Sequence, residues 1–351
     1  GFIIHPINLE NLETYFFPSF RDHDIDRVRL KDWWNRMSRF LEPVHVGSDT
    51  IRANDYLVEN SLVLLPYLPE YIMAAKEAHL GQEIRDKVQD AVTLAKELGD
   101  ENIPQSVVGL GAYSSIATNN GLSLNDHEMS VTTGNAFTVA MALRGIQKAV
   151  AGKGLLLDQC TVSVVGAGGN IGQAIARAMA PFVGKLVLIG SPRASSLRRL
   201  EATKMLCGAV EVELATDLGP LKRSQVAVLA TSSSEANLVR PGMVPDGSVV
   251  CCVSTPSNLS PDFEGQDRVL AFDGGMARLP EGSAVNFLGL PRDGAVHGCL
   301  GETLLLGFEG FNHSFCKGLL EPWQVHRTLE WAEEYGFTLG PLRLHGKTVM
   351  E

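Results

Sequence analysis

The stretch Val164-Val165-Gly166-Ala167-Gly168-Gly169-Asn170-Ile171-Gly172-Gln173-Ala174 places a glycine-rich turn directly after a β-branched run and opens a helical one. Glycine permits the tight turn and lets backbone N–H groups approach a pyrophosphate at a helix N-terminus. Glycines at 166, 169 and 172 give G-x-x-G-x-x-G, a variant of the strict G-x-G-x-x-G dinucleotide signature. A glycine turn needed only for helix-sheet packing is the competing reading, and the strand-turn-helix context argues against it. Gly166, Gly168, Gly169, Asn170 and Ile171 are therefore cofactor-binding candidates.

Outward from this loop, short apolar runs at 161–165, 185–189, 210–214, 225–230, 248–253 and 268–272 alternate with helical stretches. Such alternation predicts parallel strands joined by crossover helices. The runs are continuously apolar, as expected where helices cover both sheet faces. The expected fold class is α/β: a doubly wound, Rossmann-like parallel sheet over 136–290, entered through a long apolar helix at 136–151. Residues 1–135 mix helical stretches (27–40, 82–98) with β-like runs (61–65, 106–110) and read as a separate N-terminal α/β substrate domain. Residues 291–351 read as a C-terminal helical segment, with helices near 298–310 and 322–335, packing on the N-terminal domain.

With 351 residues, 45% hydrophobic and 20% charged, the chain has the profile of a packed globular protein, which excludes disordered and collagen-like classes. Its net charge of -10 would repel a phosphate backbone, so nucleic-acid binding is not expected. No apolar run approaches the ~20 residues of a bilayer span. No basic, apolar leader precedes Phe2-Ile3-Ile4-His5, and a cytoplasmic location is expected. Six cysteines (160, 207, 251, 252, 299 and 316) show neither CxxC nor ligand spacing with His, so no metal site or disulfide scaffold is expected.

Cofactor choice is read where the second strand ends, at the position from which an acidic residue would bind the ribose of NAD. Ile189-Gly190-Ser191-Pro192-Arg193 has no acid there, and Arg198 and Arg199 follow. A hydroxyl and a planar guanidinium suit a 2′-phosphate, so NADPH is the expected cofactor, with a solvated basic helix start as the competing reading. Ser191, Arg193 and, after the fourth strand, Thr231 and Ser232 complete the candidate set. Gly152-Lys153-Gly154 and Gly346-Lys347-Thr348 lack the upstream glycine of a phosphate loop, which argues against kinase or ATPase chemistry.

The segment His297-Gly298-Cys299-Leu300-Gly301-Glu302-Thr303-Leu304-Leu305-Leu306-Gly307-Phe308 predicts a helix starting near Gly298. Cys299 falls in its first turn, where unpaired N–H groups and the macrodipole favour a thiolate. Such a thiolate can attack a thioester, with the N–H of Leu300 or Gly301 stabilising the oxyanion. His297 could act as base. Glu302, three residues on, either assists proton transfer or caps the helix. Position alone leaves Cys299 open to the ordinary fate of a buried filler, and Cys252, ending the fifth strand, is its rival.

Residues 298–315, Thr132-Thr133-Gly134-Asn135 and the loop at 164–172 together resemble the long-chain acyl-[acyl-carrier-protein] reductases of the cyanobacterial alkane pathway. Leu110-Gly111-Ala112-Tyr113-Ser114-Ser115-Ile116 is similar to that family's glycine-aromatic-Thr-Ser-Ile segment. The resemblance runs from Phe2-Ile3-Ile4-His5 to Tyr335-Gly336-Phe337. It implies NADPH-dependent reduction of a fatty acyl thioester, carried by an acyl carrier protein or coenzyme A, to a fatty aldehyde through a covalent acyl-cysteine on Cys299. It also implies substrate contacts at Ser114, Ser115, Thr132 and Thr133, and an aldehyde-deformylating oxygenase as partner. Two loops depart from the family pattern: Gly166-Ala167-Gly168-Gly169-Asn170 stands for Gly-Ala-Thr-Gly-Asp, and Ser254-Thr255-Pro256-Ser257-Asn258 replaces a glycine-rich segment. Arg21, Arg27, Arg29, Lys31, Arg36 and Arg39 form a candidate face for an acidic carrier, diluted by Asp22, Asp24, Asp26 and Asp32. Other readings are a shikimate-dehydrogenase-like or glutamyl-tRNA-reductase-like NADP oxidoreductase and a non-catalytic protein binding NADPH or a carrier; residues 1–159 hold no cysteine for the second.

Overall fold

Two units emerge in the computed structural model, one of residues 1–134, 279–319 and 330–338, the other of 135–278, 320–329 and 339–351. The structure describes every residue except 17–25, 78–80, 100–105, 126–128, 234, 236 and 286–292.

The first unit holds β1 (Phe2–Ile4), α1 (Leu9–Phe16), α2 (Arg27–Met37), β2 (Val44–Ala53), β3 (Tyr56–Leu64), α3 (Pro69–Glu77), α4 (Gly81–Glu97), β4 (Val107–Leu110), α5 (Tyr113–Ala117) and β5 (Ser130–Thr132). Its sheet runs β2-β3-β1-β4-β5, with every pair parallel except the β2–β3 hairpin. Helix α4 buries Ile84, Val88, Ala91, Val92 and Ala95, one stripe at helical spacing, into a core with Ile3, Val63, Val108 and Val131. Burial of that face, at about 25 cal/mol per Å² of apolar surface, is what holds the helix on the sheet. Because β1, β4 and β5 are parallel, their C-terminal ends open onto the same edge, where loops collect.

The second unit opens with α6 (Asn135–Gly152), followed by β6 (Thr161–Val165), α7 (Asn170–Met179), β7 (Lys185–Ile189), α8 (Ala194–Leu206), β8 (Glu211–Ala215), β9 (Val226–Leu229), β10 (Val249–Cys252) and β11 (Leu270–Asp273). All six strands are parallel in the order β8-β7-β6-β9-β10-β11, the doubly wound pattern in which strand order reverses between β6 and β9. The expected α/β class and Rossmann-like sheet are present, each strand within two residues of its predicted bounds. Helix α6 is apolar on nearly every side because it is buried: Gly145 leaves room for Phe272 and Leu342, where a Cβ would come within 3.0 Å of the Phe272 ring.

Downstream lie β12 (Met276–Arg278), β13 (Ala295–His297), α9 (Gly298–Phe308), α10 (Pro322–Glu334), β14 (Thr338–Leu339), β15 (Leu342–Leu344) and β16 (Lys347–Met350). Both expected helices form. The end of the chain departs from the helical segment expected there: β15 and β16 pair antiparallel and extend the large sheet beyond β11. The reason is local. His345 and Gly346 both take positive φ, 48° and 83°, forming a two-residue hairpin turn, and Leu342 and Leu344 alternate into the core. Among the described residues no helix is long and apolar enough to cross a membrane.

Candidate active site

Cys299 sits in the first turn of α9, a helix buried on almost all sides against β3 and β4. Two glycines make that placement possible. A Cβ on Gly109 would lie 1.9 Å from Thr303 Oγ1, and one on Gly134, whose φ is +71°, would lie 2.2 Å from the Cα of Cys299. The ends of β4 and β5 are therefore pressed directly onto the start of α9. Thr303 Oγ1 in turn donates to the Cys299 carbonyl at 3.0 Å.

The thiol is half-buried, and its backbone partners are the N–H groups of Leu300, Ala112 and Cys299 itself, each of which favours the anion. Desolvation outweighs them, and with the Glu302 carboxylate nearby it pushes the thiol up to about 11. Burial thus opposes the thiolate that the macrodipole favours. Attack from this sulfur requires a base. Glu302 is fully buried, and the Thr132 hydroxyl donates to its Oε1. Taking the thiol proton would neutralise that carboxyl and remove the repulsion that raises the thiol. The bond from Thr132 ties the Glu302 carboxylate to β5. His297 ends β13 half-buried, as the residue preceding α9, and no side chain caps the helix from there.

Ala112 is the donor that the sequence did not reveal. Its φ of 45° and ψ of -114° match the first central residue of a type II′ turn, a position that normally demands glycine. The Ser114 N–H closes the turn onto the Gly111 carbonyl at 3.1 Å. A non-glycine residue held there costs on the order of 1–3 kcal/mol. Ser114 and Ser115 are buried, with hydroxyls that donate to the Gly111 and Ala112 carbonyls at 2.7 and 2.8 Å, so both brace this turn. Thr132 and Thr133 are buried as well: Thr132 holds Glu302, and the Thr133 hydroxyl donates to Cys316 Sγ at 3.2 Å. The four substrate candidates therefore lie in the elements flanking Cys299, with their hydroxyls already engaged by the protein.

In the second unit, the glycine loop joins β6 to α7. Gly166 has φ +82°, and a Cβ there would lie 2.3 Å from the Ala230 carbonyl oxygen; one on Gly172 would lie 2.4 Å from the Gly166 oxygen. Here glycine is obligatory. Helix α7 starts on Gly169 with no side chain capping it, which leaves its first turn suited to an anion. Asn170 is engaged otherwise, its Oδ1 accepting from the Leu320 N–H at 2.8 Å, while Ile171 is half-buried. Ser191 and Arg193 are exposed at the end of β7, and the Ser191 N–H donates to Ser196 Oγ at 3.1 Å. Arg199 comes nearest the loop, its Cβ 3.0 Å from where a Gly168 Cβ would stand. Past β9, the Thr231 N–H donates to Ser254 Oγ at 3.0 Å and Ser232 is exposed. Cys252 is packed in the core with Val165 and Ala271, where burial raises its thiol, so it reads as a filler.

The basic residues expected to form a carrier face are largely paired within their own unit. Arg27 meets Glu13 at 3.0 Å, Lys31 meets Glu70 at 2.7 Å and Arg39 meets Glu83 at 2.8 Å. Arg21, Asp22 and Asp24 lie outside the described residues. Among the described residues no group of His, Cys, Asp and Glu could hold a metal ion.

No family model matches the chain. Over 303 residues, 82% of this chain and 83% of the relative, it is 24% identical to the long-chain acyl-[acyl-carrier-protein] reductase of Synechococcus elongatus. Among solved structures it is similar to an iminosuccinate reductase of Paracoccus denitrificans in complex with NAD+ (24% identity, TM-score 0.28, 35% of this chain and 37% of that one). It is also similar to the yhdH oxidoreductase of Salmonella enterica in complex with NADP (17% identity, TM-score 0.30, 40% of this chain and 43% of that one). The chain thus spans less than half the length of these solved structures.

Proposed function

We propose that this protein is a nicotinamide-dependent oxidoreductase that reduces a long-chain fatty acyl thioester to a fatty aldehyde, with NADPH as reductant and Cys299 as the residue acylated in passing. The observation that carries the reading is the convergence of three backbone N–H groups, from Ala112, Cys299 and Leu300, on one sulfur beside a buried carboxylate. Donors on the sulfur favour its anion and stand beside the carbonyl oxygen of any acyl group bound there. The activity for which the Synechococcus relative is named points the same way.

Glu302 takes the Sγ proton as the sulfur attacks the thioester carbonyl, and the Thr132 hydroxyl holds the carboxyl in place. The carrier thiolate leaves with a proton returned from Glu302. The N–H groups of Ala112 and Leu300 hold the oxyanion, once on acylation and again when the acyl carbon becomes tetrahedral on reduction. Collapse of that tetrahedral anion breaks the C–S bond, releases the aldehyde and leaves Cys299 as a thiolate, which takes up one proton from solvent to restore the thiol. A reduced nicotinamide dinucleotide bound at the Gly166–Gly172 turn would supply the hydride; the cradle that a Cβ would fill and the uncapped α7 start fit its pyrophosphate. Arg193 and Arg199 favour the 2′-phosphate of NADPH. The thioester carrier is an acyl carrier protein or coenzyme A, the product a substrate for an aldehyde-deformylating oxygenase, and the setting the cytoplasm.

Incubation with a long-chain acyl thioester, without reductant, should add one acyl mass to the intact protein, and Cys299→Ala should abolish both this adduct and aldehyde formation. Full activity in that variant would reject the reading.

A further inference from the structure

We infer that His5 is a positioning residue for the thiol chemistry, holding the Ala112 turn with that residue's N–H directed at Cys299 Sγ. The inference rests on the reading of Cys299 as the acylated residue and adds to it the group that sets its oxyanion donor.

His5 follows β1 directly and is buried. Its two ring nitrogens have opposite partners. The Tyr113 N–H, which can only donate, lies 3.1 Å from Nε2, and the Pro6 carbonyl, which can only accept, lies 3.0 Å from Nδ1. Those two bonds fix the neutral tautomer with its proton on Nδ1. Burial pushes the imidazole below its ordinary value, which keeps Nε2 an acceptor through the physiological range. The ring also stands edge-on to Tyr113, 5.7 Å between centroids.

The peptide that His5 grips is the central one of the II′ turn, between Ala112 and Tyr113. The neighbouring peptide, between Gly111 and Ala112, carries the N–H that favours the Cys299 anion. Gly111 is anchored too, its N–H donating to the Ile3 carbonyl at 2.9 Å. With Gly111 fixed by β1 and Tyr113 fixed by His5, Ala112 has no freedom to relax to a negative φ. Relaxation would swing its N–H relative to the sulfur. A strained residue persists only where its surroundings over-determine it, and His5 is the side chain that does so here. The burial of a fully satisfied histidine next to a II′ turn lacking its glycine gives the turn's orientation a purpose.

Glutamine places an acceptor where Nε2 stands, whereas asparagine reaches only as far as Nδ1. Two readouts separate the inference from the function it rests on: the rate of Cys299 alkylation by iodoacetamide at pH 8, followed by peptide mass, and the rate of acyl-adduct formation from an acyl thioester. His5→Asn and His5→Phe should each slow alkylation about tenfold and acylation about 10²-fold, the usual loss for one oxyanion donor, with the thioester KM within twofold of wild type. His5→Gln should restore both rates to within threefold. Alkylation tests His5 even if no acyl thioester is a substrate, because it needs only the thiol. Equal reactivity in all three variants and wild type would overturn the inference. So would a loss of cooperative unfolding in all three, since the ring would then hold the core and not the turn.

Discussion

The turn after β6 and the surroundings of Cys299 both use the first turn of a helix, yet one comes from a single unbroken stretch, 164–174, and the other from stretches at 5, 111–113, 132–134 and 298–303. In the first, glycines are spaced by the helix they begin, and Gly166 and Gly172 are each forced by a backbone atom a few residues away or across one strand pair. In the second, no local rule links the parts. They meet only because β1, β4 and β5 are parallel and end at the same edge. A contiguous site tolerates drift elsewhere in the chain, whereas a composite one depends on the register of a whole sheet.

The widest break between the two comes from adding one methyl group to each. Gly134→Ala should both force a positive φ and drive a Cβ to 2.2 Å from the Cys299 Cα, backbone that cannot step aside. We expect a loss of about 3 kcal/mol or more in stability and of acyl-adduct formation by ~10³-fold or more. Gly172→Ala meets the Gly166 oxygen at 2.4 Å and should abolish dinucleotide binding, while the acyl adduct on Cys299 still forms without reductant. Intact-mass measurement and cofactor titration on the two variants check this. If Gly172→Ala erased the adduct as well, the two sites would not be separable in the way their construction implies.

The contrast also explains what was legible. All six strands around the loop could be read to within two residues, because a doubly wound sheet announces itself as apolar runs at regular intervals. Cys299 and Glu302 were legible as one helical turn. The surroundings of the thiol were not: nothing in Gly111-Ala112-Tyr113 marks a II′ turn, since the glycine that would signal it is absent from the central position. His5 gave no signal either, lying far from Tyr113 in sequence and joined to it by a hydrogen bond and a ring contact. The burial that opposes the expected thiolate was not legible, because the macrodipole is a local quantity whereas desolvation depends on everything packed around the sulfur. At the chain end, the hairpin at His345-Gly346 carried a turn signal in its glycine that the helical reading of 291–351 passed over.

A second, smaller effect sharpens the loop side of the comparison. Arg193 stands exposed immediately before α8, and Arg199 runs its stem beside Gly168. If these guanidiniums bind a 2′-phosphate, Arg193→Ala and Arg199→Ala should each weaken NADPH by about 10- to 100-fold, the worth of one charge-assisted pair, and leave NADH nearly untouched. Titration of each variant with both dinucleotides measures it. The larger loss should fall on Arg199, whose stem lies against the loop. Equal weakening of NADPH and NADH would remove the phosphate assignment.

The smallest expected effect tests the strain on the thiol side directly. Ala112 occupies a II′ position at φ 45°, so Ala112→Gly relieves the steric cost in the folded state while adding freedom to the unfolded chain. The relief is on the order of 1–3 kcal/mol and the added freedom on the order of 0.5–1, leaving a net stabilisation of about 1 kcal/mol, visible as a higher denaturant midpoint at unchanged slope. Glycine populates positive and negative φ alike, so the same variant should loosen the N–H that faces Cys299, and acylation should slow a few-fold even as the protein becomes more stable. Opposite signs on stability and rate are the mark of strain kept for a purpose. Were Ala112→Gly to lose stability, the backbone at 112 would not be strained, and the turn would need no ring at position 5 to hold it.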